Sequence, residues 1–222
     1  MSVSCFEFPI RVHPRLSVDH FLIHRRKFTC IGGSLASAAP ACLNETMTRP
    51  PEEFSQQSPE LLTAFSPDLA AALRPLFDAL PLQAAMPRLV EHGSQPAAEV
   101  ALVRELVASP ALRGRPALMA GLWLYVDELD KSHAVSQGLH DATGSYWHGV
   151  MHRREGDFSN SHYWFRQAGH HPAMDRVAGG YDAHDFVDQV QAASRRGPAP
   201  EALLTLQRQE WMTLFTWCAT HA

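Results

Sequence analysis

Helical spacing of the apolar residues constrains this chain more than any other feature of its sequence. After residue 60, leucine, valine and aromatic residues recur at intervals of three and four. No run of alternating β-branched residues is long enough for a sheet. Prolines stand where the helical segments open, as Pro67, Pro116 and Pro200 do. The sequence therefore predicts an all-α fold, a single bundle-like domain of six or seven helices over residues 61–222.

The proline and glycine positions divide this domain into helices. The predicted segments are 66–80 (with Pro75 inside it), 97–108, 115–138, 145–155, 159–168, 181–196 and 198–220. The last segment carries an apolar stripe at helical spacing, formed by Leu203, Leu206, Trp211, Leu214, Phe215 and Cys218. Such a stripe is typical of core packing far more often than of a cofactor-binding helix.

Composition excludes two classes of protein. The chain has 222 residues, 45% of them apolar, which suffices for one packed core. Its formal net charge is −4, which does not favour binding to the phosphates of nucleic acid. No stretch reaches the roughly 18 to 20 apolar residues that a membrane-spanning helix needs.

The first 42 residues differ from the rest and have the pattern of an export leader. A basic group, Arg25 to Lys27, precedes an uncharged run that contains small residues at 36–38. Arg25, Arg26 and Phe28 resemble the twin-arginine (Tat) signal, although His24 and Thr29 depart from its usual residues. The resemblance implies a protein exported already folded by the Tat machinery, hence periplasmic or extracellular. Without it, the segment is a disordered basic tail and the protein is cytoplasmic.

A linker is predicted to follow the leader. Residues 43–60 are rich in proline, serine, glutamine and glutamate. Removal of residues 1–42 leaves 14 basic and 21 acidic side chains, so the exported form has a net charge of −7. That acidic balance lowers the expectation of a nucleic-acid partner further.

The third predicted helix changes from an apolar to a polar inward face. At 100° per residue, Leu118 and Leu122 share one arc with Asp130, His133 and Gln137, whereas residues 127, 128 and 131 point to solvent. Buried polar groups need partners or a ligand, because burying them unpaired costs several kcal/mol each. Two other interpretations stay open: the helix ends near residue 131, or the histidines form a core network without a ligand.

The fourth predicted helix supplies the facing side of this pocket. His148, His152 and Glu155 are spaced i, i+4 and i+7, so they share one face. Together with Asp130 and His133 they form a candidate site for a divalent metal, zinc, iron or manganese. Without a metal, His148 or His152 would be the general acid or base, with His133 beside them and Glu155 or Asp130 orienting the rings.

Residues expected to hold a substrate lie on and around the same helices. Arg154 and Arg166 could bind an anionic group, and Trp164 could stack on a flat ligand. Asn160 and Gln137 would add hydrogen bonds. The alternatives are a favourable helix C-terminus for Arg154 and core packing for Trp164. The string from Trp147 to Phe158 is similar to stretches of bacterial proteins with no assigned activity, so the resemblance implies no activity here.

These observations predict an enzyme for a small polar molecule, anionic or carbohydrate-like. The chemistry expected of the His, Asp, Glu and Arg side chains is hydrolysis or elimination, with a metal as an option. The alternative is a non-catalytic periplasmic protein that binds a ligand or a metal. A third interpretation is a structural protein whose polar network only specifies the fold. The predicted partners are therefore a small molecule and, if the leader is used, the export machinery.

Overall fold

The structure, a computed structural model, describes residues 61–91, 93 and 95–221. This part of the chain contains no strand, so the all-α prediction is confirmed. The predicted leader and linker lie outside the described residues. The α-helices of eight residues or more are α1 Pro67–Ala79, α2 Ala97–Ala108, α3 Pro116–Tyr125, α4 Leu129–Ser136, α5 Ala142–Glu155, α6 Phe158–Ala168, α7 Ala183–Ser194 and α8 Glu201–Thr220. Two 3-10 turns cover Pro110–Leu112 and Met174–Arg176.

The prediction of one long helix over 115–138 was wrong, because two helices, α3 and α4, occupy that range. Asp127 lies between them in the left-handed conformation, with φ 58°. Aspartate is among the few non-glycine residues that adopt this conformation readily. The break reorients α4, so the polar arc is not a continuation of the apolar stripe. Ser132 on α4 packs back against α3 and donates to the Ala120 carbonyl at 2.9 Å.

Helix α5 is buried along almost its whole length, although it is rich in polar residues. It packs against α3, α4 and α6, and every residue from Gly144 to Arg154 is buried. Asp141 caps its first turn by accepting a hydrogen bond from the Gly144 amide at 2.7 Å. Gly156, with φ 85°, ends it in a left-handed cap in which the Asp157 amide donates to the His152 carbonyl. The fold therefore places a polar helix where an apolar one is usual.

The apolar core packs around α8, as the sequence predicts. Trp211 stacks on Phe215 at 4.6 Å between ring centres and contacts Tyr125 at 4.7 Å. Its indole nitrogen donates to the Gly121 carbonyl at 2.8 Å. Leu214 and Cys218 are buried in the same cluster, so the stripe is core. None of the helices in the described ranges has the length and the apolar run that crossing a bilayer demands.

Candidate metal centre

Three histidines from two helices converge at the contact between α4 and α5. His133 comes from α4, and His148 and His152 come from α5. One ring nitrogen of each lies within 4.8 Å of the corresponding nitrogens of the other two. The ring centres are 4.6 Å apart for His133 and His148, 5.4 Å for His133 and His152, and 4.9 Å for His148 and His152. We call these three residues the histidine cluster.

The sequence produces this cluster through two different kinds of contact. His148 and His152 are one helical turn apart, which places both on the same face of α5. His133 reaches that face only because the break at Asp127 allows α4 to lie against α5. The i, i+4 pair is thus local, whereas the third imidazole depends on tertiary packing.

Burial keeps two of the three imidazoles neutral at physiological pH. His148 is 2% exposed, and desolvation lowers its pKa to about 4, with smaller contributions from His133 and His152. Desolvation also lowers the pKa of His152, although the Glu155 carboxylate acts in the opposite direction. Neutral imidazole is the form that coordinates a metal ion. His148 and His152 are therefore in the ligating, neutral form near pH 7.

A carboxylate outside the cluster orients one of its rings. Glu155 Oε2 lies 3.0 Å from His152 Nδ1. Because an ionised carboxylate only accepts hydrogen bonds, a neutral His152 carries its proton on Nδ1 and leaves Nε2 free. Metal-binding histidines are usually held by such a partner on the second nitrogen. Glu155, predicted as a ligand or an orienting group, is thus placed to orient His152 and lies outside the cluster itself.

The surroundings of His148 also fit a bound ion. Trp164 stacks on its ring with centres 3.9 Å apart and planes 17° apart. His148 Nδ1 is shielded from water and has no hydrogen-bond partner. Buried polar atoms without a partner are uncommon in folded proteins, and a ligand is one established reason for them. Three imidazoles are the protein ligands of one class of catalytic zinc site.

Two predicted ligands stand apart from the cluster. Asp130 is exposed, and neither it nor Glu155 belongs to the group of converging atoms. Both line a neighbouring cavity of about 320 Å³. Its lining residues are Glu91, Gly93, Asp127, Glu128, Leu129, Asp130 and Glu155. Without these carboxylates the donor set is all imidazole, which suits zinc, iron, copper or nickel better than manganese.

The predicted anion-binding arginine on α5 is engaged inside the protein. Arg154 is fully buried and donates to Asp127 Oδ1 at 2.6 Å. Asp127, which the helical arc placed toward solvent, is 4% exposed and also accepts from Gln95 at 3.0 Å. Burial raises the pKa of Asp127, and the Arg154 charge acts against that rise. Arg154 therefore stabilises the segment between α3 and α4 through its ion pair with Asp127, and it is not available to a substrate.

The other predicted substrate-binding residues are dispersed. Arg166 and Gln137 are exposed on α6 and at the end of α4. Asn160 is exposed and hydrogen-bonds Asp157, the residue that caps α6. Trp164 is near the cluster, but one face of its ring is covered by His148. Of the five, Trp164 stacks on a ring of the histidine cluster, and Gln137 contacts it only through its backbone amide, which donates to the His133 carbonyl at 2.9 Å.

Several contacts between distant parts of the chain are not predicted by the sequence. Arg153 donates from both terminal nitrogens to Glu210 of α8, and the Tyr181 hydroxyl donates to the same carboxylate. His162 and His184 contact one another across α6 and α7. No local spacing signals these contacts, because each joins residues at least 20 positions apart. Only the polar character of an otherwise buried helix could have pointed to the Arg153 pair.

The fold and the cluster define an all-α protein in which three converging histidines, two of them buried, could hold a metal ion. Searches of protein-family models, curated proteins and solved structures found no match to the chain.

Proposed function

We propose that this protein is a metal-dependent enzyme that holds one divalent ion, zinc in the first instance, on His133, His148 and His152. The observation that carries the proposal is the convergence of three ring nitrogens within 4.8 Å in a largely buried setting. Three protein ligands leave a fourth position for water, whose pKa a bound zinc lowers to roughly 7. The reaction proposed is hydrolysis or elimination on a small polar molecule.

The cavity beside the cluster favours one part of the predicted substrate class. Glu155 is hydrogen-bonded to His152, and it also lines the cavity. Four other carboxylate residues line the same cavity. Among the described residues, no cationic side chain lines the cavity. The cations that meet its carboxylates are already in ion pairs, Arg88 with Glu91, Lys131 with Glu128 and Arg154 with Asp127. The described lining therefore offers no unpaired positive charge to an anionic group. A neutral, hydroxyl-rich molecule of the carbohydrate-like kind is therefore the substrate class that we propose.

Metal titration tests the site. We expect the metal-free protein to bind zinc in a step that His133→Ala, His148→Ala and His152→Ala each remove. His140→Ala is the matched control, since His140 is an exposed histidine between α4 and α5. Glu155→Gln should weaken affinity by about 10- to 100-fold, because the carboxylate that orients His152 is lost. Equal affinity in the control and in folded cluster variants would refute the site.

A non-catalytic metal-binding role is the second candidate, and the deep burial of His148 and His152 favours it. Cobalt(II) substitution separates the two roles. An open fourth position predicts that azide changes the visible spectrum of the cobalt form, and that the zinc form hydrolyses members of a glycoside and ester panel. A spectrum unchanged by azide and no turnover would favour the binding role.

We also propose that the protein is exported through the Tat route, on the strength of Arg25, Arg26 and Phe28. The expected result is that Arg25→Lys/Arg26→Lys abolishes recovery of the full chain in the periplasmic fraction of a Tat-competent bacterium. Export of that double variant at the level of the unchanged protein would overturn this proposal.

A further inference from the structure

A second pair of histidines meets across α6 and α7, separate from the histidine cluster. Nδ1 of His162 on α6 lies 2.8 Å from Nδ1 of His184 on α7. The two ring planes differ by only 6°, and the ring centres are 5.1 Å apart. That separation is the nitrogen–nitrogen distance plus about one ring radius on each side. The rings therefore meet edge to edge in nearly one plane, with their Nδ1 atoms facing each other.

Hydrogen-bond logic assigns the protons of this pair. Nε2 of His162 lies 3.1 Å from Asp188 Oδ1, and the carboxylate accepts, so a neutral His162 is protonated on Nε2. Its Nδ1 is then a free acceptor, and the proton between the rings belongs to His184 Nδ1. Two imidazole nitrogens thus share one proton, and Asp188 fixes the ring that accepts it.

This arrangement has the features of a small metal site. A carboxylate on the far nitrogen of a histidine is the usual support for a metal-binding imidazole. The 2.8 Å between the two nitrogens is a hydrogen-bond distance. It is also about the separation of two nitrogens that each lie about 2.0 Å from one ion in adjacent square-planar positions, so binding requires the rings to turn but not these atoms to move apart. The His162 side chain is 25% exposed, so an ion and its waters can reach the pair.

We propose that His162 and His184 bind one divalent ion with a preference for imidazole, copper(II) first, in place of the shared proton. On binding, the proton of His184 moves through solvent from Nδ1 to Nε2, so both rings stay neutral and no proton is released overall. Both rings rotate from the edge-to-edge arrangement until their Nδ1 lone pairs point at the ion. Water completes the coordination, because the site opens to solvent.

Copper(II) is the first choice on two grounds. Among divalent first-row ions it has the highest general affinity for nitrogen ligands, and it favours a square-planar arrangement. Zinc prefers tetrahedral geometry and finds a better donor set in the three imidazoles of the histidine cluster. The two sites should therefore differ in metal preference.

Copper(II) titration of the full-length chain, followed by electron paramagnetic resonance, tests the proposal. The background is His133→Gln, which removes one ligand of the histidine cluster. We expect a copper-binding step with nitrogen hyperfine coupling in this background. His162→Gln and His184→Gln should each weaken that step at least tenfold.

The matched control is His170→Gln, because His170 is paired with Asp175 at 3.2 Å much as His162 is paired with Asp188. Circular dichroism verifies that each variant keeps its helical content. The proposal would be overturned if folded His162→Gln and His184→Gln both kept the copper-binding step, or if His170→Gln lost it equally. Failure of zinc binding at the histidine cluster leaves this result unaffected, since the two sites share no residue.

Discussion

At the scale of single residues, the polar groups of α5 differ in what satisfies them. Arg153 and Arg154 each meet a buried carboxylate, on Glu210 and Asp127. His152 meets Glu155, whereas His148 has ring contacts with His133, His152 and Trp164 and an Nδ1 without a hydrogen-bond partner. The guanidinium charges of this helix are neutralised within the protein, although the Nε atom of each arginine also lacks a hydrogen-bond partner. The convergence of three imidazole nitrogens therefore marks the site more clearly than any single unpartnered atom.

The low pKa of His148 predicts an acid-dependent loss of stability in the metal-free protein. Folded, His148 stays neutral down to a pH of about 4, whereas the unfolded chain protonates it near 6.5. Between these values the unfolded state binds more protons, so the free energy of unfolding falls as pH falls. The expected contribution is at most about 3 kcal/mol. Urea denaturation of the protein and of His148→Gln between pH 6.5 and 4 measures this contribution to the free energy of unfolding.

The variant should show a shallower decline than the unchanged protein between pH 6.5 and 4, because glutamine does not titrate. Above pH 7 the two profiles should run parallel. Parallel profiles over the whole range would contradict the buried, neutral state of His148.

At the scale of elements, glycines allow the helices around α5 to approach closely. A Cβ on Gly121 of α3 would lie 2.8 Å from the Trp147 ring and 2.9 Å from Phe215. A Cβ on Gly149 of α5 would lie 3.1 Å from the Phe165 ring of α6. Ser161 of α6 donates to the Gly149 carbonyl at 2.8 Å across the same contact. Close packing on these sides fixes the position of the face that carries His148 and His152.

Gly121→Ala should destabilise the protein although alanine is the better helix former. Its intrinsic advantage is about 1 kcal/mol, whereas overpacking against two buried rings costs about 1–3 kcal/mol, so the net loss reaches about 2 kcal/mol. Thermal denaturation measures the difference. Gly179→Ala is the control, because nothing lies within 4 Å of a Cβ at that position. An equal or higher melting temperature for Gly121→Ala would show that the rings move aside freely.

At the scale of the whole molecule, buried ion pairs connect α5 to distant parts of the chain. Arg153 reaches Glu210 of α8, 57 positions away, and its guanidinium also lies 4.2 Å from the centre of the Phe186 ring of α7. Arg154 reaches Asp127 at the break before α4. These contacts hold the polar helix in register with the core on one side and with the helix of His133 on the other.

Breaking the Arg153–Glu210 pair should destabilise the protein strongly. Glu210→Met leaves the Arg153 charge buried without a partner, a loss of about 3–5 kcal/mol in the free energy of unfolding. The double variant Arg153→Met/Glu210→Met removes both charges and should lose less than the single variant. Denaturant titration of the two variants measures the free energy of unfolding of each. A double variant less stable than Glu210→Met would contradict this account.

The sequence by itself determined the helical class, most helix positions and the pair of imidazoles on α5. Periodicity is a local property, and His148 and His152 are neighbours on any α-helix that contains them. Periodicity also identified His133 as a candidate site residue, although it did so by assuming one long helix that the structure divides at Asp127.

Tertiary structure decided which polar residues share a site. Asp130, Arg154 and Arg166 have suitable chemistry and lie near the histidines in the sequence. In the structure, Asp130 is exposed and lines a cavity, Arg154 is paired with Asp127, and Arg166 is exposed to solvent. Glu210 pairs with Arg153 and His184 with His162, although each pair is widely separated in the sequence. The physical reason is that buried charge and hydrogen bonding are satisfied by whatever lies closest in space, which helical spacing alone does not specify.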